Sequence, residues 1–206
     1  MRYPAAAICV LLMLATIVLA GCGARFATSY DHPVAADAAA EWKLAGVDVT
    51  VPDELVVSEA DTYLPRADIV WREDPPGDRK AQVATIVADA ARAAAADMHG
   101  KRAVRLKIVL ARFHALTFKA EALNIKSGVH DVIFTISVLD ANSGEILAGP
   151  TLVNAAAPAL SGAEMVAARA RGESQKLHIS RHLQKVIAGW LGLGPDPRET
   201  FIRIGA

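Results

Sequence analysis

Residues 104–110 read Val-Arg-Leu-Lys-Ile-Val-Leu, and residues 132–138 read Val-Ile-Phe-Thr-Ile-Ser-Val. In both stretches apolar side chains alternate with other side chains, which is typical of β-strands that are buried on one face. Residues 47–51 show a similar alternation, and residues 145–153 follow a tight connection at 140–144, so both segments are also predicted to be strands. Two shorter strands are predicted at 55–57 and 69–71. These stretches together predict a mostly antiparallel sheet.

Two helical regions are predicted around these strands. The first runs over 79–99, where apolar side chains recur every three or four residues after a capping Asp78. The second begins at Ser161, is interrupted near Gly172 and continues with an apolar stripe to Trp190. Strands, a helix, further strands and a helix in this order favour an α+β fold, with two main helices packed on one face of the sheet.

The N-terminus has the layout of an export signal. Arg2 precedes an apolar run over residues 5–19, and the run ends in Leu19-Ala20-Gly21-Cys22. This sequence resembles the lipobox of bacterial lipoproteins, in which the cysteine thiol is acylated and the chain is cut just before it. The resemblance implies that residues 1–21 are removed and that Cys22 carries acyl chains such as palmitate. An uncleaved membrane anchor and an ordinary signal peptide cut elsewhere are the alternatives.

The remaining chain divides into three predicted parts. Residues 22–41 lack a long apolar period and are predicted to be a short tether, 42–194 a single α+β domain, and 195–206 a tail. Gly23 stands where an aspartate would retain many lipoproteins in the inner membrane. We therefore expect the protein in the cell envelope, anchored to the inner leaflet of the outer membrane and facing the periplasm.

Charge and cysteine content exclude some classes of protein. The chain has 22 Lys and Arg against 22 Asp and Glu, so its formal net charge is zero. Nucleic-acid binding requires clustered cations and is not expected. Once residues 1–21 are removed, Cys22 is the single remaining cysteine, so no intramolecular disulfide is expected.

The common catalytic signatures are absent from the sequence. It contains no G-x-S-x-G, no H-E-x-x-H and no G-x-x-x-x-G-K motif. His178 and His182 are four residues apart on a predicted helix, a spacing that suits metal binding. Lys185 in the same sector disfavours a second cation, so these histidines are predicted at the solvent-exposed flank. We expect no metal and no cofactor.

His114 and His130 flank the two long predicted strands. If those strands pair, the histidines could lie close together, with Asp131 orienting one of them. That arrangement would suit a periplasmic hydrolase or a metal-binding protein. The other interpretation is that both histidines satisfy hydrogen bonds at the edge of the sheet.

A polar loop before the first long helix contains Trp71, Asp74, Asp78 and Arg79. Rigid polar loops often bind partners, and aromatic residues and arginine are enriched at binding hot spots. The alternative is a turn followed by a helix cap. Under that alternative Trp71 belongs to the core.

Several strings of this sequence resemble an uncharacterised family of proteobacterial lipoproteins. They are residues 67–72 (Ala-Asp-Ile-Val-Trp-Arg), 74–79 (Asp-Pro-Pro-Gly-Asp-Arg), 112–117 (Arg-Phe-His-Ala-Leu-Thr) and 128–130 (Gly-Val-His). The resemblance covers most of the chain from Trp42 to the last helix and implies no particular activity. We therefore expect a non-catalytic binding or accessory protein, held to the membrane by Cys22, that serves an envelope protein partner in transport or assembly.

Overall fold

The computed structural model describes residues 25–124, 126–198 and 200–204. Five helices and seven strands occur in this part of the chain. In chain order they are β1 (Arg25–Tyr30), α1 (Ala36–Ala40), β2 (Trp42–Thr50), β3 (Ile69–Val70), α2 (Arg79–Ala94), β4 (Arg102–His114), α3 (Phe118–Glu121), β5 (Val129–Asp140), β6 (Ile146–Pro158), α4 (Gly162–Ala170), α5 (Gln175–Trp190) and β7 (Ile202–Ile204).

The described strands form one sheet in the order β2-β4-β5-β6-β1-β7, with the short β3 also paired to β4. The pairs β4–β5, β5–β6, β6–β1 and β1–β7 are antiparallel, whereas β2 and β3 run parallel to β4. The prediction of a mostly antiparallel α+β fold is therefore confirmed. The segment at 55–57, predicted as a strand, makes only an isolated bridge between Val57 and Ile69.

One face of the sheet is covered by α2 and α5. Alternate residues of β5 point into this layer, and they meet the apolar stripes of both helices in a single buried cluster. Its most deeply buried members on these elements include Val132, Phe134, Ile136, Val138, Val83, Val87, Leu183, Val186 and Trp190. Buried alanines at 90, 91 and 94 let α2 approach its neighbours closely.

The predicted tether over 22–41 is wrong from Arg25 onward. β1 pairs with β6 through Thr28 and Ala155, and Tyr30 and Ala39 are buried in the domain. The short stretch has no run of branched apolar residues, so its sequence did not reveal a strand. It is held by backbone pairing and by polar contacts of Thr28 and Tyr30. Residues 1–24, including Cys22 and the predicted signal peptide, lie outside the described residues.

The predicted tail over 195–206 is also wrong where the structure describes it. β7 pairs with β1, with Phe26 opposite Arg203. The Tyr30 hydroxyl donates to Asp196 Oδ1 at 2.9 Å, and the Arg198 guanidinium lies 4.7 Å from the centre of the Tyr30 ring. The two predicted extensions thus bind each other at one side of the sheet.

The helical predictions are confirmed with shorter bounds. α2 ends at Ala94 and not near 99, and the region that begins at Ser161 forms two helices. Gly172 separates them with a φ of +78°, a conformation that glycine adopts without steric cost. Ser174 then caps α5 by accepting a hydrogen bond from Leu177 N at 3.1 Å.

Candidate functional site

A cavity of about 670 Å³ lies at the end of the sheet where β4 finishes and β5 begins, and we call it the end pocket. The chain segments around it are the carboxyl end of β4, the connection from β4 to β5, the start of β5, the loop at 63–65, the β1–β7 pair and Ser161 just before α4. Its apolar walls come mainly from Phe26, Tyr63, Leu64, Pro65, Ala115, Leu116, Ala120, Leu123, Val129 and Ile204. A concave, mostly apolar pocket with a few polar groups is the usual form of a small-ligand site.

Hydrogen bonds fix the segments that form the walls. The Thr117 hydroxyl donates to Thr62 O at 2.7 Å, and Lys119 N donates to Asp61 Oδ1 at 2.9 Å. On the opposite side, Arg203 donates to Gly128 O at 2.6 Å. The loop before β3 and the strand β7 are therefore both tied to the connection between β4 and β5.

Arg112, His114 and Asp131 form one connected polar group in the pocket. Arg112 Nε lies 2.9 Å from Asp131 Oδ2, and Arg112 Nη2 lies 3.1 Å from His114 Nδ1. Because a guanidinium only donates, His114 Nδ1 accepts, and His114 Nε2 then donates to Ala67 O. His114 is thereby held as the neutral tautomer with its proton on Nε2.

Burial shifts the pKa values of His114 and Asp131 in opposite directions. It lowers the pKa of His114, and the neighbouring Arg112 lowers it further, while the hydrogen bond to Ala67 opposes the shift. Burial also raises the pKa of Asp131, and Arg112 opposes that shift. Both nitrogens of His114 already have partners, so this imidazole is not poised as a free general base.

His130 does not join His114 in the pocket. His114 is the register partner of Asp131 across β4 and β5, so these two residues lie on the same face of the sheet. His130 precedes Asp131, and successive residues of a strand point to opposite faces. The two histidines therefore lie on opposite faces, and the geometry does not support a hydrolase or metal site built from both.

His130 on β5 is instead buried beneath α5. It belongs to a polar group with His178 and His182 of α5 and Thr28 of β1. Neither ring nitrogen has a hydrogen-bond partner among the described residues. Burial, with smaller contributions from His178 and His182, lowers the pKa of His130 to about 3. His182 Nε2 lies 3.2 Å from the Thr28 hydroxyl, and the pKa of His182 is about 4, mainly through burial.

The placement of His182 differs from the sequence-based expectation. It was predicted at the solvent-exposed flank, but it turns toward Thr28 of β1, a strand that the sequence did not reveal. His178 contacts Glu173 Oε2 at 2.7 Å, on the residue just before the cap of α5. The two histidines four residues apart thus serve separate polar contacts.

The four residues of the loop before α2 make internal bonds. Trp71 is fully buried, packs edge to face against Phe113, and donates from Nε1 to Asp74 Oδ2 at 2.9 Å. Asp78 caps α2 by accepting from Ala81 N at 3.0 Å. Arg79 is buried and binds Glu59 Oε1 at 2.7 Å. These contacts account for all four side chains as parts of a turn, a cap and the core.

A metal centre is not formed by the part of the chain that the structure describes. No group of three or more His, Cys, Asp or Glu side chains is placed there to hold a metal ion. Among the same residues, no helix has the length and apolar character needed to cross a membrane.

Sequence reasoning missed most of the end pocket. His114 and Asp131 were singled out, but the loop at 63–65, Leu123 and the β1–β7 pair were not. Tyr63-Leu64-Pro65 could have been noticed as an apolar triplet between polar residues. No local pattern connects it with residues 25–30 or 202–204, because these segments meet only through the sheet order and through hydrogen bonds to the β4–β5 connection.

Most of the chain matches a known protein family. Residues 42–206 match a family of unknown function, DUF6778, and the chain belongs to that family. This confirms the resemblance to an uncharacterised family. The predicted lipobox at 19–22 lies outside both the matched range and the described residues. The chain matches no curated protein.

Solved structures with some likeness were also found. A variant of the PelC dodecamer from Paraburkholderia phytofirmans has a TM-score of 0.35 and 15% identity, covering 81% of this chain and 96% of the other. A putative lipoprotein from Caulobacter crescentus CB15 has a TM-score of 0.30 and 16% identity, covering 72% and 93% of the two chains. TM-scores this low imply nothing about the assembly, ligands or function of the present chain.

Proposed function

We propose that this protein is a lipid-anchored, non-catalytic binding protein of the bacterial cell envelope. The observation that carries the proposal is the apolar run over residues 5–19, whose last residue begins the sequence Leu19-Ala20-Gly21-Cys22. The Cys22 thiol is acylated, and the two or three acyl chains of a bacterial lipoprotein suffice for stable anchoring. The anchor lies in the inner leaflet of the outer membrane, and the domain faces the periplasm.

The binding role belongs to the end pocket. Its walls are mostly apolar, and Arg112, His114 and Asp131 are already engaged in an ion pair and in the hydrogen bonds of His114. Such a site suits capture of an apolar group of a partner more than bond breaking. The partner is an envelope protein of a transport or assembly system.

Metabolic labelling tests the anchor. Cells that express the full chain are fed an alkyne-bearing palmitate, and the protein is compared with the Cys22→Ser variant. We expect label in the wild-type chain, and no label and an uncut precursor in the variant. Equal labelling of both chains, or none in the wild type, would overturn the assignment.

A matched pair of variants tests the binding site. Ser127 is exposed at the pocket, whereas Ser143 is exposed in the β5–β6 turn at the other end of the sheet. Ser127→Trp should narrow the pocket and reduce recovery of a partner from crosslinked membranes, while Ser143→Trp should leave recovery unchanged. Equal recovery with both variants would place the binding surface elsewhere.

A further inference from the structure

We propose that the rim of the end pocket rests on the lipid surface of the membrane. This inference depends on the proposed acylation of Cys22. It commits the exposed apolar side chains around the pocket to one partner, the headgroup region of a phospholipid bilayer. The rest of the domain then extends away from that surface.

The distance from Cys22 to the sheet is short. Two residues separate Cys22 from Arg25, the first described residue of β1, and the three steps between these two Cα atoms span at most about 11 Å. The headgroup region of one leaflet is roughly 5–8 Å thick. An acylated Cys22 at the boundary of the hydrocarbon therefore leaves Arg25 within or just above the headgroups.

The register of β1 places Arg25 beside the end pocket. Arg25 is the cross-strand partner of Ile204, so their Cα atoms are about 5 Å apart. Ile204 itself lines the pocket, together with Phe26 on β1 and Leu64 on the loop before β3. The membrane anchor is thus attached beside the pocket and not at the far end of the sheet.

The side chains at this rim fit the lipid surface. Leu64 is 89% exposed, Ile204 75% and Tyr63 50%, which is unusual for large apolar residues gathered around one cavity. Exposed apolar patches of this kind mark protein or membrane contact sites. Since the anchor brings a bilayer within reach, these side chains can be buried without any second protein.

Cationic groups accompany the apolar rim. Lys119 Nζ lies 4.6 Å from the centre of the Tyr63 ring, and Arg25 and Arg203 stand on the paired strands. Asp61 is a carboxylate at the same end, and it accepts the hydrogen bond from Lys119 N. An apolar tip with long cationic side chains beside it is the arrangement that places charges among phosphates and apolar groups below them. The mouth of the end pocket then lies at the level of the headgroups, so that the apolar group it captures comes from an envelope protein of the same membrane, while the rim itself contacts lipid.

Site-specific fluorescence tests this orientation in the full lipidated chain. Leu64→Cys is compared with Ile146→Cys, because Ile146 is 55% exposed and lies opposite Leu139, roughly 33 Å along β5 from the pocket. Each purified protein is labelled with a maleimide fluorophore and reconstituted into vesicles of phosphatidylethanolamine and phosphatidylglycerol. Some of the lipids carry a nitroxide quencher on the acyl chain.

We expect the quencher to reduce the fluorescence at position 64 several-fold more than at position 146. Equal quenching at both positions, or none at position 64, would overturn the inference. The wild-type chain is the control for the anchor, because an acylated Cys22 cannot react with maleimide. If wild-type Cys22 does react, the proposed function fails; if it is blocked and position 64 stays unquenched, only the orientation fails.

Discussion

The histidines on the two faces of the sheet differ in their hydrogen bonding. His130 lies under α5 without a hydrogen-bond partner among the described residues, whereas His114 uses both ring nitrogens at the end pocket. The covered face depends on apolar burial and accommodates a polar group at a cost. The pocket side depends on specific polar pairs. Stability and binding are therefore expected to respond to different substitutions.

The largest expected effect is on the covered face. Phe134 is fully buried at the centre of β5, and Phe134→Ala should lower the free energy of unfolding by about 3–5 kcal/mol. Thr135 is the next residue and points to the uncovered face, so Thr135→Ala should cost about 1 kcal/mol or less. Urea unfolding measures both values. Similar losses for the two variants would contradict the assignment of the faces.

The next effect concerns the pH dependence of stability. The pKa of His130 is about 3 in the folded state and 6.5 when the ring is solvated, so the unfolded chain takes up the proton first. The contribution of this group is intact above about pH 6.5 and is lost as the pH falls toward 3. Between pH 7 and pH 5 the loss should be about 2 kcal/mol.

The His130→Leu variant isolates that contribution. It removes a buried imidazole that has no partner among the described residues, so stability at pH 7 should be maintained or increased. Its decline toward pH 5 should be shallower than that of the wild type, because this proton is no longer bound on unfolding. The pKa of His182 is also lowered by folding, so part of the decline in stability with falling pH remains in this variant. Parallel curves of unfolding free energy against pH for the two proteins would contradict this assignment to His130.

A smaller effect tests whether the loop before α2 is structural. Asp78→Ala removes the cap of α2 and should cost about 1 kcal/mol of unfolding free energy. Asp89→Ala on the same helix removes only an exposed pair with Arg92 and should cost about 0.5 kcal/mol or less. Thermal unfolding of both variants distinguishes them. If Asp78→Ala leaves stability unchanged but weakens partner recovery, the loop is a binding surface as the sequence suggested.

The smallest expected effect on stability lies at the rim of the end pocket. Leu64 is almost fully exposed, so Leu64→Ser should change the free energy of unfolding by about 0.5 kcal/mol or less. The same variant should weaken contact with lipid vesicles, measured by flotation of a chain that begins at residue 23, without the apolar run or the anchor, with and without Leu64→Ser. A large loss of stability would show that Leu64 supports the fold and is not a contact residue.

The sequence predicted those parts of the fold that depend on local periodicity. β4, β5, α2 and α5 each carry a clear apolar alternation or stripe, and all four are present near the predicted bounds. β1 and β7 were missed because each is short and is stabilised by pairing with a strand distant in the chain. Thr28 and Tyr30 contribute through polar contacts that no local pattern reveals.

The candidate site was predictable only in part, for a related reason. His114 and Asp131 could be proposed together, since adjacent long strands bring their ends into contact. Whether His130 joined them depended on which face each residue occupied, and a register shift between Leu110 and Arg112 affects that face. The walls of the pocket come from segments that are distant in the chain and are joined by the sheet order and by hydrogen bonds such as that of Thr117 to Thr62.

The most direct test of the central claim is the intact mass of the protein purified from bacterial membranes. The account predicts a chain that begins at Cys22 and carries the added mass of a diacylglycerol group and a further acyl chain. A chain that retains residues 1–21, or one whose Cys22 carries no lipid, would contradict it.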